Sequence, residues 1–181
     1  TVFNLVGPLC NPAGATVQVI GVGRPTVREA MAEAAFALGA SRVLVVSGRI
    51  ADDEGRCFDE LSLFGPTDVI DVSSAGTSRH RWNPEDFGLS TRPPVVMEDL
   101  LVAGPEESAA AIREVLSGAT GPRREIVVLN AAAVLWAAGL GPEPTAASRL
   151  AEEAIDSGAA AARLARLAQL SFAPDSCPPG R

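Results

Sequence analysis

The sequence contains no lysine and no tyrosine, and His80 is its only histidine. All 15 residues counted as lysine or arginine are therefore arginines. A chain without lysine can form no Schiff base and offers no ammonium group to a bound phosphate. Mechanisms that need a lysine of this chain are thereby excluded.

Cysteine and positive charge are also scarce. Cys10, Cys57 and Cys177 are odd in number and lack metal-type spacing, which favours a reduced, cytoplasmic setting. The net charge of −7 and the pI of about 4.7 argue against a nucleic-acid-binding surface. No apolar run is long enough to span a bilayer, and the first residues lack the layout of a signal peptide. We therefore expect no nucleic-acid and no membrane partner.

At 181 residues and 47% hydrophobic content, the chain is long enough for one good core or for part of a larger two-domain protein. Residues 17–22 and 43–46 are apolar on both faces, as in buried strands. Residues 25–38 carry helical periodicity between them, so the three segments predict a βαβ unit. Residues 68–72 and 77–82 predict an antiparallel hairpin at the sheet edge.

The second half of the chain is predicted to be helical. Residues 106–116 and 145–170 carry helical patterns, with Gly158 able to split or bend the latter. Residues 125–138 are so apolar that we expect a helix buried nearly all round. Residues 50–56 are acidic and polar, which is typical of an exposed loop. The fold class is thus α/β: a mostly parallel central sheet with an antiparallel hairpin edge and helices on both faces.

Two adjacent carboxylates, Asp59 and Glu60, stand out as a candidate metal site. Adjacent carboxylates repel, so they sit easily together only in water or beside a cation. Mg²⁺ commonly takes one or two protein carboxylates together with substrate phosphates. The pair follows the loop that begins at Ser47-Gly48, beyond the carboxyl end of a predicted strand, where ligands of such sheets gather. A solvated loop without metal is the alternative that these residues alone leave open.

Two other sequence features give weaker support for a functional site. Gly21-Val22-Gly23 lacks the third glycine of a dinucleotide fingerprint, because position 26 is threonine. His80 falls in the predicted edge strand, where a surface role is expected and no serine or cysteine partner is evident.

Several stretches, in order, resemble the carboxyl-terminal part of the anthranilate phosphoribosyltransferases. The resemblance covers nearly the whole chain except its tail. It is carried by these stretches: Thr1-Val2-Phe3-Asn4-Leu5, Gly7-Pro8-Leu9, Asn11-Pro12-Ala13, Gln18-Val19-Ile20-Gly21-Val22, Asp59-Glu60-Leu61-Ser62, Gly65-Pro66-Thr67, Pro84-Glu85-Asp86-Phe87-Gly88, Leu129-Asn130-Ala131-Ala132-Ala133 and Ala154-Ile155-Asp156-Ser157-Gly158.

The resemblance implies a Mg²⁺-dependent transfer of phosphoribose from phosphoribosyl pyrophosphate to anthranilate, in tryptophan biosynthesis. It implies that Asp59 and Glu60 hold the Mg²⁺ and that Asn11, Pro12 and Ala13 line the anthranilate path, and it assigns no catalytic residue. It further implies a nucleoside phosphorylase/phosphoribosyltransferase-like carboxyl-terminal domain, here a partial α/β catalytic domain over residues 1–172 with a flexible tail over 173–181.

The sequence departs from the family pattern in ways that affect activity. The glycine-rich phosphate loop and the helical domain of the family would lie upstream of Thr1. Ser47 stands where the family usually has histidine, and residues 49–58 are longer than the usual connection. We therefore expect the isolated chain to be inactive. The resemblance also implies that the full-length enzyme is a homodimer. A non-catalytic binding or regulatory remnant, and a relative acting on another aromatic acceptor, are the alternatives.

Overall fold

The structure is a computed structural model that describes residues 5–50, 53–90 and 94–171, without the side chains of 53–56. Five strands form one sheet: β1 (Val17–Gly21), β2 (Arg42–Ile50), β3 (Asp53–Phe58), β4 (Thr67–Ser73) and β5 (Gly76–Trp82). The order is β1-β2-β4-β5, and β3 pairs with the far end of β2.

Within the described ranges, one α-helix lies between β1 and β2 and four follow β5. They are α1 (Arg28–Ala37), α2 (Pro105–Leu116), α3 (Pro122–Ala137), α4 (Pro144–Asp156) and α5 (Ala159–Ser171). Helices α2, α3 and α4 each begin at a proline, whose fixed φ suits a first helical turn. Gly158, with φ of +76°, separates α4 from α5, so the predicted break in this segment is confirmed. No described helix has both the length and the apolar character needed to cross a bilayer.

The sheet is covered on both faces because β2 buries both of its faces. Leu44 and Val46 point into a core shared with α3 and α4, whereas Val43 and Val45 point into a second core with α1. All four of these side chains are fully buried, which explains the unbroken apolar run in the sequence. The predicted α/β class, hairpin edge and helices on both faces are confirmed.

The balance of strand directions is more antiparallel than expected. Strands β1 and β2 are parallel, whereas β2–β3, β2–β4 and β4–β5 are antiparallel. Only β1 and β2 are joined through a helix, and parallel neighbours need such a crossover. The pairs β2–β3 and β4–β5 are hairpin neighbours, in which the chain returns in the opposite direction, whereas β3 and β4 lie on opposite edges of β2 and both run antiparallel to it.

Two local predictions are wrong. Residues 50–56 were expected to be an exposed loop, but β2 runs to Ile50 and β3 begins at Asp53, so this segment belongs to a hairpin. Helix α3 was expected to be buried nearly all round, yet Val127 and Val134 are 43% and 50% exposed. The expected tail over 173–181 lies outside the described residues, and the domain boundary at 172 stays a prediction.

Candidate functional site

The Asp59–Glu60 segment lies against the carboxyl ends of β1 and β2. A Cβ atom on Gly21, the last residue of β1, would overlap the backbone carbonyl group of Asp59. A Cβ atom on Gly48 of β2 would lie 2.5 Å from the Glu60 carbonyl oxygen. Contacts this close are open only to glycine, so positions 21 and 48 must both be glycine for the acidic segment to lie here.

A cavity of about 340 Å³ opens beside this segment. It is bounded by the carboxyl end of β1, the turn that follows it and the acidic segment, and the residues that line it are Leu5, Gly21, Val22, Gly23, Arg24, Val27 and Asp59. Arg24 and Asp59 are the two charged residues that line this cavity. A site beyond the carboxyl end of a strand is where open α/β sheets bind ligands.

Hydrogen bonds fix the residues that follow the pair. The Leu61 N–H donates to Asn130 Oδ1 at 2.9 Å, and Asn130 Nδ2 donates to the Leu61 carbonyl oxygen at 3.3 Å. The Ser62 N–H donates to Thr67 Oγ1 at 3.1 Å, and Ser62 Oγ donates to the Arg49 carbonyl oxygen at 2.7 Å. The acidic segment is therefore tied to helix α3 and to β2.

The pair has a perturbed electrostatic environment. Partial burial, and secondly repulsion from the Asp59 carboxylate, raise the pKa of Glu60 above its ordinary value. Glu60 borders a neighbouring groove of about 290 Å³ between α2 and α3, whereas Asp59 borders the first cavity. A divalent cation near both carboxylates would offset the cost of keeping both ionised.

The donor set fits Mg²⁺. No cluster of three or more histidine, cysteine, aspartate or glutamate side chains suited to a metal occurs among the described residues. Mg²⁺ needs no such cluster, because it retains water ligands and binds through one or two carboxylates with substrate phosphates. Asp59 and Glu60 match that requirement, although their role as ligands stays a prediction.

The raised pKa of Glu60 predicts a pH-dependent stability. Between the ordinary pKa of 4.5 and the higher folded-state pKa, the folded chain binds more protons than the unfolded chain. Without metal, the free energy of unfolding contributed by Glu60 therefore falls as the pH rises through this window and stays lower above it. Urea denaturation in EDTA should show Glu60→Gln gaining stability relative to wild type between pH 4 and pH 7.5.

The control for this experiment is Glu153→Gln, which removes a carboxylate from an exposed position on α4. Its stability difference from wild type should change less with pH than that of Glu60→Gln. An equal pH dependence in the two variants would show that the desolvation of Glu60 has no thermodynamic consequence.

Ser47, which replaces the usual histidine of the resembling family, does not reach the cavity with its hydroxyl. The side chain is fully buried, and Oγ donates to the Val22 carbonyl oxygen at 2.7 Å. This bond ties the end of β1 to β2, next to the backbone bond from the Val22 N–H to the Val46 carbonyl oxygen. Ser47 therefore stabilises the cavity indirectly, by holding Val22, which lines it.

The residues predicted to line the anthranilate path, Asn11, Pro12 and Ala13, do not line the cavity beside Asp59. They follow a short turn of 3-10 helix, and Asn11 Oδ1 accepts a hydrogen bond from the Ala13 N–H at 3.0 Å. Asn11 lines a small pocket with Thr16 and Gln18, near the amino end of β1. The described structure thus does not bring them together with Asp59 and Glu60, and their role in binding stays a prediction.

His80 has a hydroxyl partner that was not evident from the sequence. Ser78 Oγ lies 3.0 Å from His80 Nε2, and Asp71 Oδ2 lies 3.8 Å from the same nitrogen. A nucleophilic triad needs serine and carboxylate on opposite ring nitrogens. In addition, Asp71 is engaged by Arg42 through two hydrogen bonds. The arrangement is therefore structural and does not form a hydrolytic site.

The analysis of the sequence gave no role at the site to three residues: Gly21, Gly48 and Asn130. Gly21 was considered only in an incomplete dinucleotide fingerprint and in a resembling stretch, and Gly48 only by its place after the strand. Asn130 could have been noticed as an amide within an apolar helix, where asparagine is disfavoured.

The fold and the site together define a class: an α/β domain with an acidic segment and a cavity at the carboxyl end of its parallel strand pair. The family model described as glycosyl transferase family, a/b domain, matches residues 1–161, and the chain belongs to that family.

Named relatives agree with this assignment. Anthranilate phosphoribosyltransferase of Rubrobacter xylanophilus is 44% identical over 172 residues, which are 94% of this chain and 48% of the relative. The crystal structure of that enzyme from Thermus thermophilus has a TM-score of 0.77 and 43% identity, covering 92% of this chain and 46% of the other. The Saccharomyces cerevisiae enzyme in complex with PRPP and Mg has a TM-score of 0.76 and 27% identity, covering 91% and 44%.

The resemblance inferred from the sequence motifs is thereby confirmed. The chain spans about half the length of the curated relatives that it matches.

Proposed function

We propose that this domain forms the metal-binding side of a site where phosphoribose passes from phosphoribosyl pyrophosphate to anthranilate. The observation that carries this proposal is the position of the Asp59–Glu60 segment, which packs against Gly21 and Gly48 beside a cavity. The relatives are named for this reaction, and one of them binds PRPP and Mg. Because the chain covers about half of each relative, the complete activity belongs to the protein that contains this domain.

The chemistry requires positioning and charge compensation. The bond from C1 of the ribose to pyrophosphate breaks, the anthranilate nitrogen bonds to C1, and that nitrogen loses a proton. When bound, Mg²⁺ would neutralise charge on the departing pyrophosphate. Asp59 and Glu60 would hold the ion, and Arg24 would offer its guanidinium to an anionic group in the cavity. The cytoplasmic setting and the homodimeric state of the full-length protein belong to the same proposal.

Ser47 does not favour a non-catalytic alternative. Its replacement of the usual histidine was the best reason to expect a binding or regulatory remnant. The hydroxyl is buried and bonded to the Val22 carbonyl oxygen, so Ser47 holds the strand beside the cavity and does not obstruct the cavity itself. An enzyme acting on a different aromatic acceptor is distinguished by testing substituted aminobenzoates beside anthranilate.

The test is an activity assay of the native protein that carries this domain. The protein is mixed with anthranilate, phosphoribosyl pyrophosphate and Mg²⁺, and consumption of anthranilate is followed by the decrease of its fluorescence. Asp59→Asn combined with Glu60→Gln should lower kcat/KM by about 100-fold or more, because a bound metal contributes several kcal/mol. The isolated 181-residue chain is the expected inactive reference.

Glu152→Gln combined with Glu153→Gln is the matched control, since it removes two adjacent carboxylates from α4. The control should retain its activity within about twofold, as substitutions at surface positions usually do. Full activity of the Asp59/Glu60 variant would contradict the proposed metal site. Absence of turnover in the wild-type native protein with every aminobenzoate would contradict the reaction itself.

A further inference from the structure

The side chain of Asn130, on helix α3, forms hydrogen bonds to a residue far away in the sequence. Its carboxamide pairs with both polar groups of one distant backbone residue: Oδ1 accepts from the Leu61 N–H and Nδ2 donates to the Leu61 carbonyl oxygen. Nδ2 also donates to the Ile126 carbonyl oxygen at 3.0 Å, one turn earlier in α3. The network fixes the orientation of the amide, because only its oxygen can accept from the Leu61 N–H.

The residue that Asn130 contacts is the one immediately after the acidic pair. Leu61 is 1% exposed, so its backbone N–H and carbonyl groups cannot form hydrogen bonds to water. Without the carboxamide, a buried donor and a buried acceptor would be left unpaired, and the segment would have to shift to satisfy them.

Helix α3 is a firm support for this contact. Val128, Leu129, Ala132 and Ala133 are at most 1% exposed and anchor the helix in the core. A short asparagine side chain on such a helix has little freedom to move, so it holds the Leu61 backbone in a fixed position. By contrast, asparagine is a poor helix former, so helix stability does not explain its presence in an apolar, alanine-rich segment.

We infer that Asn130 is a positioning residue for the Asp59–Glu60 pair: it anchors the backbone beyond Glu60 to α3 while Gly21 and Gly48 seat the backbone of the pair itself. The inference rests on the proposed function, because it assigns Asn130 a role in holding the metal ligands. Groups that orient metal ligands in this indirect way typically change metal affinity by 10–100-fold when removed.

The experiment uses the 181-residue chain and Mn²⁺, which prefers the same oxygen ligands as Mg²⁺ and can be followed by electron paramagnetic resonance. Asn130→Ala removes the carboxamide and leaves a better helix former in its place. Ser148→Ala is the matched control, because it also deletes a helix-borne polar group, one that bonds the Pro144 carbonyl oxygen away from the acidic pair.

We expect Asn130→Ala to raise the Kd for Mn²⁺ by about tenfold or more at a temperature where the variant is folded. Amide hydrogen exchange of Leu61 should accelerate relative to that of Val45 in the centre of β2. Ser148→Ala should change neither quantity. The ratio of the two exchange rates separates a local loss from general destabilisation.

An unchanged Kd in Asn130→Ala, with Leu61 exchange accelerated, would overturn the positioning role. If the wild-type chain binds no Mn²⁺, the proposed metal site fails instead. The anchoring part of the inference would then be decided by NMR: displacement of the Asp59 and Glu60 backbone resonances by Asn130→Ala but not by Ser148→Ala supports it, and equal spectra refute it.

Discussion

Replacing Gly21 with alanine should destabilise the folded chain and weaken metal binding together. The new methyl group would overlap the Asp59 carbonyl group, which is backbone and cannot rotate away. We expect a loss of about 3 kcal/mol in the free energy of unfolding, the upper end of the usual cost of overpacking. A fold that survives must displace Asp59, so the Kd for Mn²⁺ should rise by about tenfold or more, as when ligand positioning is disturbed.

The measurement is a urea denaturation curve and a Mn²⁺ titration, compared with Gly65→Ala. Gly65 lies in the connection that follows the acidic pair, and a Cβ atom there would meet its nearest neighbour, Arg49 Cβ, at an ordinary 3.7 Å. Gly65 is half-buried, but the added methyl group makes only ordinary van der Waals contact, so Gly65→Ala should stay within about 0.5 kcal/mol of wild type. Equal results for the two variants would show that Asp59 is not seated on Gly21 in solution.

The strand and helix pattern was predictable where burial is visible in the sequence. Residues 17–22 and 43–46 are apolar on both parities, and both form strands. Residues 43–46 are fully buried as expected, whereas β1 is an edge strand in which only Ile20 is buried. Strand β3 was missed because Asp53-Glu54-Gly55-Arg56 is polar, and a strand that pairs through its backbone at the end of β2 needs no apolar alternation. Helix α3 was judged by composition alone, which cannot show that Val127 and Val134 face outward.

The candidate site was predictable only in part, for a related reason. Adjacent carboxylates after a strand are visible as a local pattern, so Asp59 and Glu60 could be singled out. The contact between Leu61 and Asn130 joins residues 69 positions apart, and no local periodicity reports it. The close approach of Asp59 to Gly21 is also a tertiary contact, and a glycine in sequence does not reveal what occupies the space of its missing side chain.

Removing Asp71 should destabilise the chain without affecting the acidic pair. Arg42 Nε and Nη2 donate to the two carboxylate oxygens of Asp71 at 3.1 and 2.8 Å, and the guanidinium lies 4.1 Å from the centre of the Trp136 ring. Arg42 Nη1 also donates to the carbonyl oxygens of Trp136 and Ala137 at the end of α3. This cluster joins the start of β2 to α3, at the end of the sheet opposite Asp59.

Asp71→Ala leaves a mostly buried guanidinium without its carboxylate. The side chains of Arg42 and Asp71 are 25% and 10% exposed, so we expect a loss of about 3 kcal/mol, the lower end for breaking a buried pair. Glu29→Ala breaks the 2.8 Å pair with Arg79, whose side chains are more than half exposed, and should cost less than about 0.5 kcal/mol. A similar cost for both variants would reduce the Arg42 cluster to a surface ion pair. We expect Asp71→Ala to leave the Mn²⁺ affinity unchanged, whereas Gly21→Ala should weaken it. That difference would show that metal binding depends on the carboxyl ends of β1 and β2 and not on overall stability.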